Sequence, residues 1–247
     1  PHEILTISDY RRRYAQYRSD EDLQEVHRKY PFICTWDDHE FANNSYATGA
    51  ENHNDGEGDW AERRRAATKA YMEWIPVRVA SDDLPTVRSF DFGELATLAM
   101  LDTRIVGRER PLEYGRDVEM ITVDDVEMPD YAAFHKRLET EERSLIGEKQ
   151  EVWLDQTLAK SAAKKIPWQI IGQQIIMSFR PEPPLSSVFS PEEMKELPEG
   201  EQLSMKVAEE FGGFYNPDAW DGYQPARRRV YDLFKKHASN PIVLTGD

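Results

Sequence analysis

Three apolar runs in this chain each break directly into a short polar loop. Phe32-Ile33-Cys34-Thr35-Trp36 leads into Asp37-Asp38-His39-Glu40, Leu95 to Leu101 into Asp102-Thr103-Arg104, and Pro241 to Thr245 into Gly246-Asp247. Short runs of strand formers that are not diluted by alternating polar residues fit strands buried in a sheet. Trp168 to Met177 reads as another such strand, and Val87 to Asp91 pairs with Leu95 to Leu101 across Phe92-Gly93-Glu94. Helical stretches lie between. Thr6 or Ser8 can cap a first helix carrying Tyr10, Tyr14 and Tyr17, and Asp20 or Asp22 a second through Leu23 and Val26. Asp59 can cap a third through about Trp74, with Ala66, Ala67, Ala70, Tyr71 and Trp74 at helical spacing. Gly147 to Lys164 is amphipathic, and Pro225 suits the first turn of a helix reaching about Ala238. Strands alternating with helices predict an α/β fold with a mostly buried sheet. Ligand sites in such folds gather at the carboxyl ends of strands, so the three polar loops are expected to meet there.

The 247 residues fit one domain with a full core, here read as a single domain over 1–247. Residues 43–58 and 178–217 are rich in loop formers and read as long loops or flaps, and 105–146 as a polar excursion with one helix near Tyr131 to Leu138. The net charge of -15 argues against nucleic acid as a bulk ligand, because most of the surface repels a polyphosphate. No apolar run approaches the roughly 18 residues of a membrane span. The one cysteine, Cys34, cannot form a disulfide within the chain and reads as a buried thiol. The chain starts at Pro1 without a methionine and stops just after an apolar run, so both ends are expected to be cut.

The sharpest chemical feature is Asp37-Asp38-His39-Glu40. Adjacent carboxylates repel unless a cation or hydrogen-bond donors compensate them, and oxygen and imidazole ligands suit hard or borderline metals. Asn43 and Asn44 could add neutral oxygens. A capped acidic turn without metal is the alternative. Gly246-Asp247 presents a carboxylate after a strand, a weak signal that gains weight only beside the first. Arg104 could grip a phosphate with paired donors, or form an internal Asp-Arg ion pair that holds its loop. One of Arg63, Arg64 and Arg65 is expected to point inward, and the residues do not say which. His53 lies in the long loop, within possible reach of a substrate. A Gly-rich nucleotide loop and a Gly-x-Ser-x-Gly elbow are both absent.

The order of motifs resembles the PhoD-like alkaline phosphatases. It runs from Ser8-Asp9-Tyr10-Arg11 through Phe32 to Glu40 with Asn43-Asn44, then Arg64-Arg65-Ala66-Ala67 with Ala70-Tyr71, and Leu101-Asp102-Thr103-Arg104. Gln150 with Trp153-Leu154, Gln173-Gln174, Ala219-Trp220-Asp221-Gly222-Tyr223 and Val243-Leu244-Thr245-Gly246-Asp247 complete it. The resemblance implies a metallophosphatase-like αββα sandwich, two packed sheets flanked by helices, incomplete here at both ends. It implies a metal cluster of calcium with ferric iron, Asp38 as a ligand, Asp37 as a ligand or its support, and Asp247 as the start of a last metal motif. His39 would contact the phosphate or protonate the leaving group, and Arg104 would orient a small phosphate-ester substrate. Motifs of the family that precede Pro1, and a histidine that follows Asp247, are missing, so this piece alone is expected to be inactive. A periplasmic or secreted location is implied for the whole protein.

Three functions compete at this point. The first is metal-dependent hydrolysis of phosphate monoesters or diesters. The second is a structural or interaction domain in which Asp37, Asp38 and Asn44 only hold an ion. A nuclease on the same scaffold is the third, and the net charge counts against it.

Overall fold

The structure is a computed structural model and describes residues 2–79, 81, 83–123, 125–180, 189–197 and 216–247. In chain order its elements are α1 (Ile7–Arg18), α2 (Glu21–Lys29), α3 (Trp60–Trp74), β1 (Arg88–Phe92), β2 (Ala96–Met100), α4 (Tyr114–Asp117), β3 (Met120–Val123) and β4 (Val126–Pro129). There follow α5 (Tyr131–Leu138), α6 (Gly147–Ala163), β5 (Trp168–Gly172), α7 (Pro191–Glu196), a 3-10 turn (Trp220–Tyr223), α8 (Gln224–His237) and β6 (Asn240–Leu244). They form two compact units, one of Pro1–Arg110, Ser144–Ile175 and Val230–Asp247, the other of Pro111–Arg143 and Ile176–Arg229.

The first unit is mixed α/β, with one four-stranded sheet ordered β1-β2-β5-β6. β1 and β2 are an antiparallel hairpin, and β2, β5 and β6 run parallel. The three parallel strands therefore deliver their carboxyl ends to one edge. α6 covers one face of the sheet: Thr97 Oγ1 and Gln169 Nε2 both donate to Ser161 Oγ, at 2.9 and 3.0 Å, and Lys164 pairs with Asp91. The other face carries the row Phe90, Leu98, Ile170 and Ile242. Phe90 and Ile242 are 36% and 39% exposed, and Leu244 on the same face is 55% exposed.

Local signals set the helices. Thr6 caps α1 through a reciprocal pair of hydrogen bonds with Asp9, and Asp20 and Asp59 cap α2 and α3. α1 packs on α3, where Ala67 and Ala70 are fully buried and let Tyr10 and Tyr71 close with Trp36 and Phe41 into one core. In the second unit β3 and β4 form a hairpin, and Leu112, Phe134 and Leu138 make a small core with the Tyr114 ring against Phe134. Buried Asp221 pairs there with Arg227, and Arg143 lies 4.7 Å over the Tyr223 ring.

Two expected strands differ. The 32–36 segment forms no strand and has no strand partner among the described residues, and Phe32 and Ile33 remain 49% and 40% exposed. A strand exists only through its ladder, and none of the described residues supplies one here. β5 ends at Gly172 rather than near Met177, because Gln173 and Gln174 turn their polar groups to the loops. The excursion over 105–146 holds the β3–β4 hairpin and α4 as well as the expected helix. Residues 43–58 form a turn-rich loop tied by Glu51 N–H to Asn43 O and by the Tyr46–Gly49 bridge. The proposed flap at 178–217 lies mostly outside the described residues.

Gly107 sets how closely the loop after β2 approaches the start of α6. A Cβ there would lie 2.5 Å from Ile146 O and 2.6 Å from Gly147 Cα, both of them backbone atoms that cannot swing away. Gly107→Ala is expected to destabilise the fold by about 1–3 kcal/mol. Urea unfolding checks this, and an unchanged midpoint would mean that the contact is soft.

Candidate metal centre

Asp102, the second residue after β2, is fully buried and collects hydrogen bonds from Trp36 Nε1 at 2.7 Å, Ile105 N–H at 2.8 Å and Arg104 N–H at 2.9 Å. Burial pushes its carboxyl above the ordinary range, and these donors pull the other way. Gln150 of α6 holds the same residue from behind, donating to Asp102 O and accepting from Asp102 N–H. Trp36 is thereby fixed, with Phe41 and Tyr71 edge-on at 5.1 and 5.2 Å. Asp37 and Asp38 follow Trp36 directly, so the tryptophan decides where they begin.

The acids shape their own turn. Asp38 is 5% exposed; Oδ1 accepts from His39 N–H and Oδ2 from Asn44 N–H, while its carbonyl accepts from Phe41 and Ala42. Asn44 adopts φ +49, a left-handed conformation that asparagine tolerates well. Glu40 reaches back to accept from Asp37 N–H at 2.6 Å, and burial pushes its carboxyl up. His39 sits on the rim, its side chain 77% exposed, with Nε2 2.9 Å from Asn43 Oδ1 and 3.8 Å from Asp38 Oδ2. Beside the turn opens a cavity of about 750 Å³ whose wall includes His39, Glu40 and Asn43.

Arg104 lies under this turn with no exposed surface. Its Nε donates to Asp37 Oδ1 at 2.6 Å, its Nη2 donates to Asp247 Oδ2, and Nη2 is 3.7 Å from Asp38 Oδ1. One guanidinium against three carboxylates leaves the negative charge uncompensated. Burial raises the Asp37 carboxyl, with Arg104 pulling the other way and Asp38 adding to the rise. Ligand atoms of Asp37, Asp38 and Asp247 lie within 4.8 Å of one another. The second oxygens of Asp37 and Asp247 accept no hydrogen bond among the described residues. An all-oxygen, charge-rich donor set of this spacing fits a hard cation.

The structure thus brings Asp37, Asp38, Arg104 and Asp247 together at the strand ends. His39 stands beside them, and Asn44 meets Asp38 through its backbone while its side chain donates to Glu51. Arg104 makes an internal ion pair, but with Asp37 and Asp247; Asp102 binds only its backbone. Of the arginine run, Arg63 points inward, held by Glu3, Glu57 and Tyr10. His53 bonds Arg63 and Gly58 O with an 11% exposed side chain, so it serves the fold. The sequence places Gln150 in the motif order but does not show that it holds Asp102, nor that Asp102 binds Trp36. The available signal was a polar residue on the buried face of α6, in line with Leu154, Thr157 and Ser161.

The family model of PhoD-like phosphatase matches residues 1–247. Alkaline phosphatase D of Bacillus subtilis (strain 168) is 34% identical over 250 residues, covering 99% of this chain and 35% of that protein. A solved structure of PhoD superposes with a TM-score of 0.69 at 30% identity, covering 99% of this chain and 40% of that one. The chain therefore spans little more than a third of the length of these relatives.

Removing the guanidinium leaves buried negative charge behind. Arg104→Met is expected to cost about 2 kcal/mol of stability, less than the loss from a fully enclosed pair because the Asp37 and Asp247 side chains are 31% and 53% exposed. Calcium at millimolar concentration is expected to restore part of the loss. Urea titrations with and without calcium check both; a variant as stable as the parent would show that the pairs contribute nothing.

Proposed function

The chain belongs to the PhoD-like phosphatase family, and from that premise we propose that it serves as part of the catalytic domain of a metal-dependent phosphoesterase. The observation that carries this reading is the meeting of Asp37, Asp38 and Asp247 around Arg104 at the carboxyl ends of the strands. The proposal takes calcium with ferric iron as the cations, and the oxygen-only donor set supports hard ions of this kind. When bound, such cations lower the pKa of a water and neutralise phosphoryl oxygens. Asp38 and Asp247 hold the cations, Asp37 shares that task with its pairing to Arg104, and Asn44 braces Asp38 through its N–H. Arg104, which has no exposed surface, keeps the carboxylates at a fixed spacing and orients the ester only through them. His39 Nε2, exposed on the rim and within 3.8 Å of Asp38, gives its proton to the departing alkoxide. The cavity beside His39 has room for the alcohol part of the ester.

The apolar row Phe90, Leu98, Ile170 and Ile242, exposed at Phe90 and Ile242 and half-buried between them, supports a second part of the proposal. In the whole protein a second sheet packs on this face, giving a two-sheet sandwich. The substrates are small phosphate esters, mono- or diesters, and the site of action lies outside the cytoplasm. No helix among the described residues is long and apolar enough to cross a membrane.

The activity is tested on the full-length protein with a chromogenic phosphomonoester and a phosphodiester, with calcium and then with chelator. Turnover is expected to vanish with chelator and to fall by about 100-fold or more in His39→Ala and Asp38→Ala with the fold retained. Wild-type protein that binds metal and turns over neither ester would leave the structural-ion domain as the better reading. The covered face has its own check: Ile242→Glu in the full-length protein is expected to cost about 2 kcal/mol. Full tolerance of that charge would mean that the face meets water.

A further inference from the structure

We propose that Gln174 is a positioning residue that sets the spacing of all three loops of the site through one side chain and one carbonyl. It lies just past β5 and is 3% exposed. Its Oε1 accepts from Thr103 N–H at 2.9 Å and Thr103 Oγ1–H at 2.7 Å. Its Nε2 donates to Trp36 O at 2.7 Å, with Thr35 Oγ1 at 3.1 Å and Leu101 O at 3.3 Å also in reach. Its backbone carbonyl accepts from Asp247 N–H at 2.9 Å, Gly246 N–H at 3.0 Å and Thr245 Oγ1–H at 2.5 Å.

The residue immediately before Asp37, the residue immediately before Arg104, and Asp247 itself are therefore all tied to one amino acid. The amide orientation follows from the partners, since the Thr103 N–H can only donate and the carbonyls of Trp36 and Leu101 can only accept. Both lone pairs and both N–H groups are engaged, which saturates a primary amide. Glutamate would bring no donor to Trp36 O and would bury a charge, and asparagine is one methylene too short to keep both ends. Groups that hold ligand-bearing segments in this way act on cation affinity and rate, commonly by about 10–100-fold.

Gln169 is a matched control. It lies on β5 itself, 1% exposed and equally saturated, bonding Ser161, Ile166 O, Ser239 N–H and Asn240 N–H at the end of the strand away from the acids. Gln174→Met and Gln169→Met remove equivalent amides, so their thermal stabilities should fall alike. Only Gln174→Met is expected to weaken calcium binding by calorimetry about tenfold and to lower kcat about 10–100-fold, with KM changed less than about threefold. Equal melting losses with cation affinity and kcat unchanged in both would overturn the proposal. Should Gln174→Met fail to fold, Thr103→Val removes one of the bonds and is expected to lower calcium affinity about threefold; wild-type affinity in that variant overturns it as well. The kinetic arm rests on the phosphoesterase reading and the calorimetric arm does not. A wild type that binds calcium but hydrolyses no ester sinks that reading and leaves calorimetry to decide this one, and a wild type that binds no calcium sinks both.

Discussion

A guanidinium with no exposed surface can stay charged only if carboxylates come to it, and Arg104 draws them from opposite ends of the chain. Asp37 lies 67 positions away and Asp247 143 positions away. Neither neighbour could be supplied by local structure, so the pairing requires that the 32–44 turn, the loop after β2 and the end of β6 share one place. The parallel order of β2, β5 and β6 provides that place, because their carboxyl ends emerge at a common edge. The pairing also limits itself. A guanidinium balances one carboxylate fully and shares what is left, so the third acid marks where a second cation would be welcome.

Beneath the ion pairs lies a layer of buried hydrogen bonds that decides their geometry. Asp102 does not spend its charge on Arg104; it spends it on the indole of Trp36 and on backbone N–H groups. That division matters. Were Asp102 to bind the guanidinium, Arg104 would be satisfied within its own loop and would have no reason to reach Asp37 or Asp247. Gln150 enforces the division from α6 by filling the backbone groups of Asp102. α6 in turn is seated by the near contact of Gly107 and Gly147, so the site inherits its precision from helix–loop packing.

What could be read in the sequence was what local chemistry decides. The caps Thr6, Asp20 and Asp59 bond residues three positions away, and the helices start where those residues say. The β1–β2 hairpin turns at Gly93 with φ +57, which a glycine before a strand run already announced. The polar loops after apolar runs foretold the convergence of Asp37, Asp38, Arg104 and Asp247. What could not be read depends on distant partners. Arg63 was chosen over Arg64 and Arg65 by Glu3 and Tyr10, which arrive from another helix end. Phe32 to Trp36 has the composition of a strand, yet composition cannot provide the neighbour that makes one. Gln150 is marked by its place among the apolar positions of α6, but the loop it serves comes from 48 residues away and only the fold supplies it.

The distribution of burial bears on the choice between a structural ion and a catalytic one. A structural site encloses its ion on all sides, whereas a catalytic site keeps a position open to substrate. Here the floor is closed: Arg104 and Asp102 have no exposed surface, and the Asp38 side chain is 8% exposed. The rim is open, with the Asp37 and His39 side chains 31% and 77% exposed. Asp38 belongs to both layers, since its oxygens brace His39 N–H and Asn44 N–H while facing the cluster. A rigid floor fixed by hydrogen bonds under an accessible acid–imidazole rim suits a reaction whose substrate must enter and whose leaving group must depart.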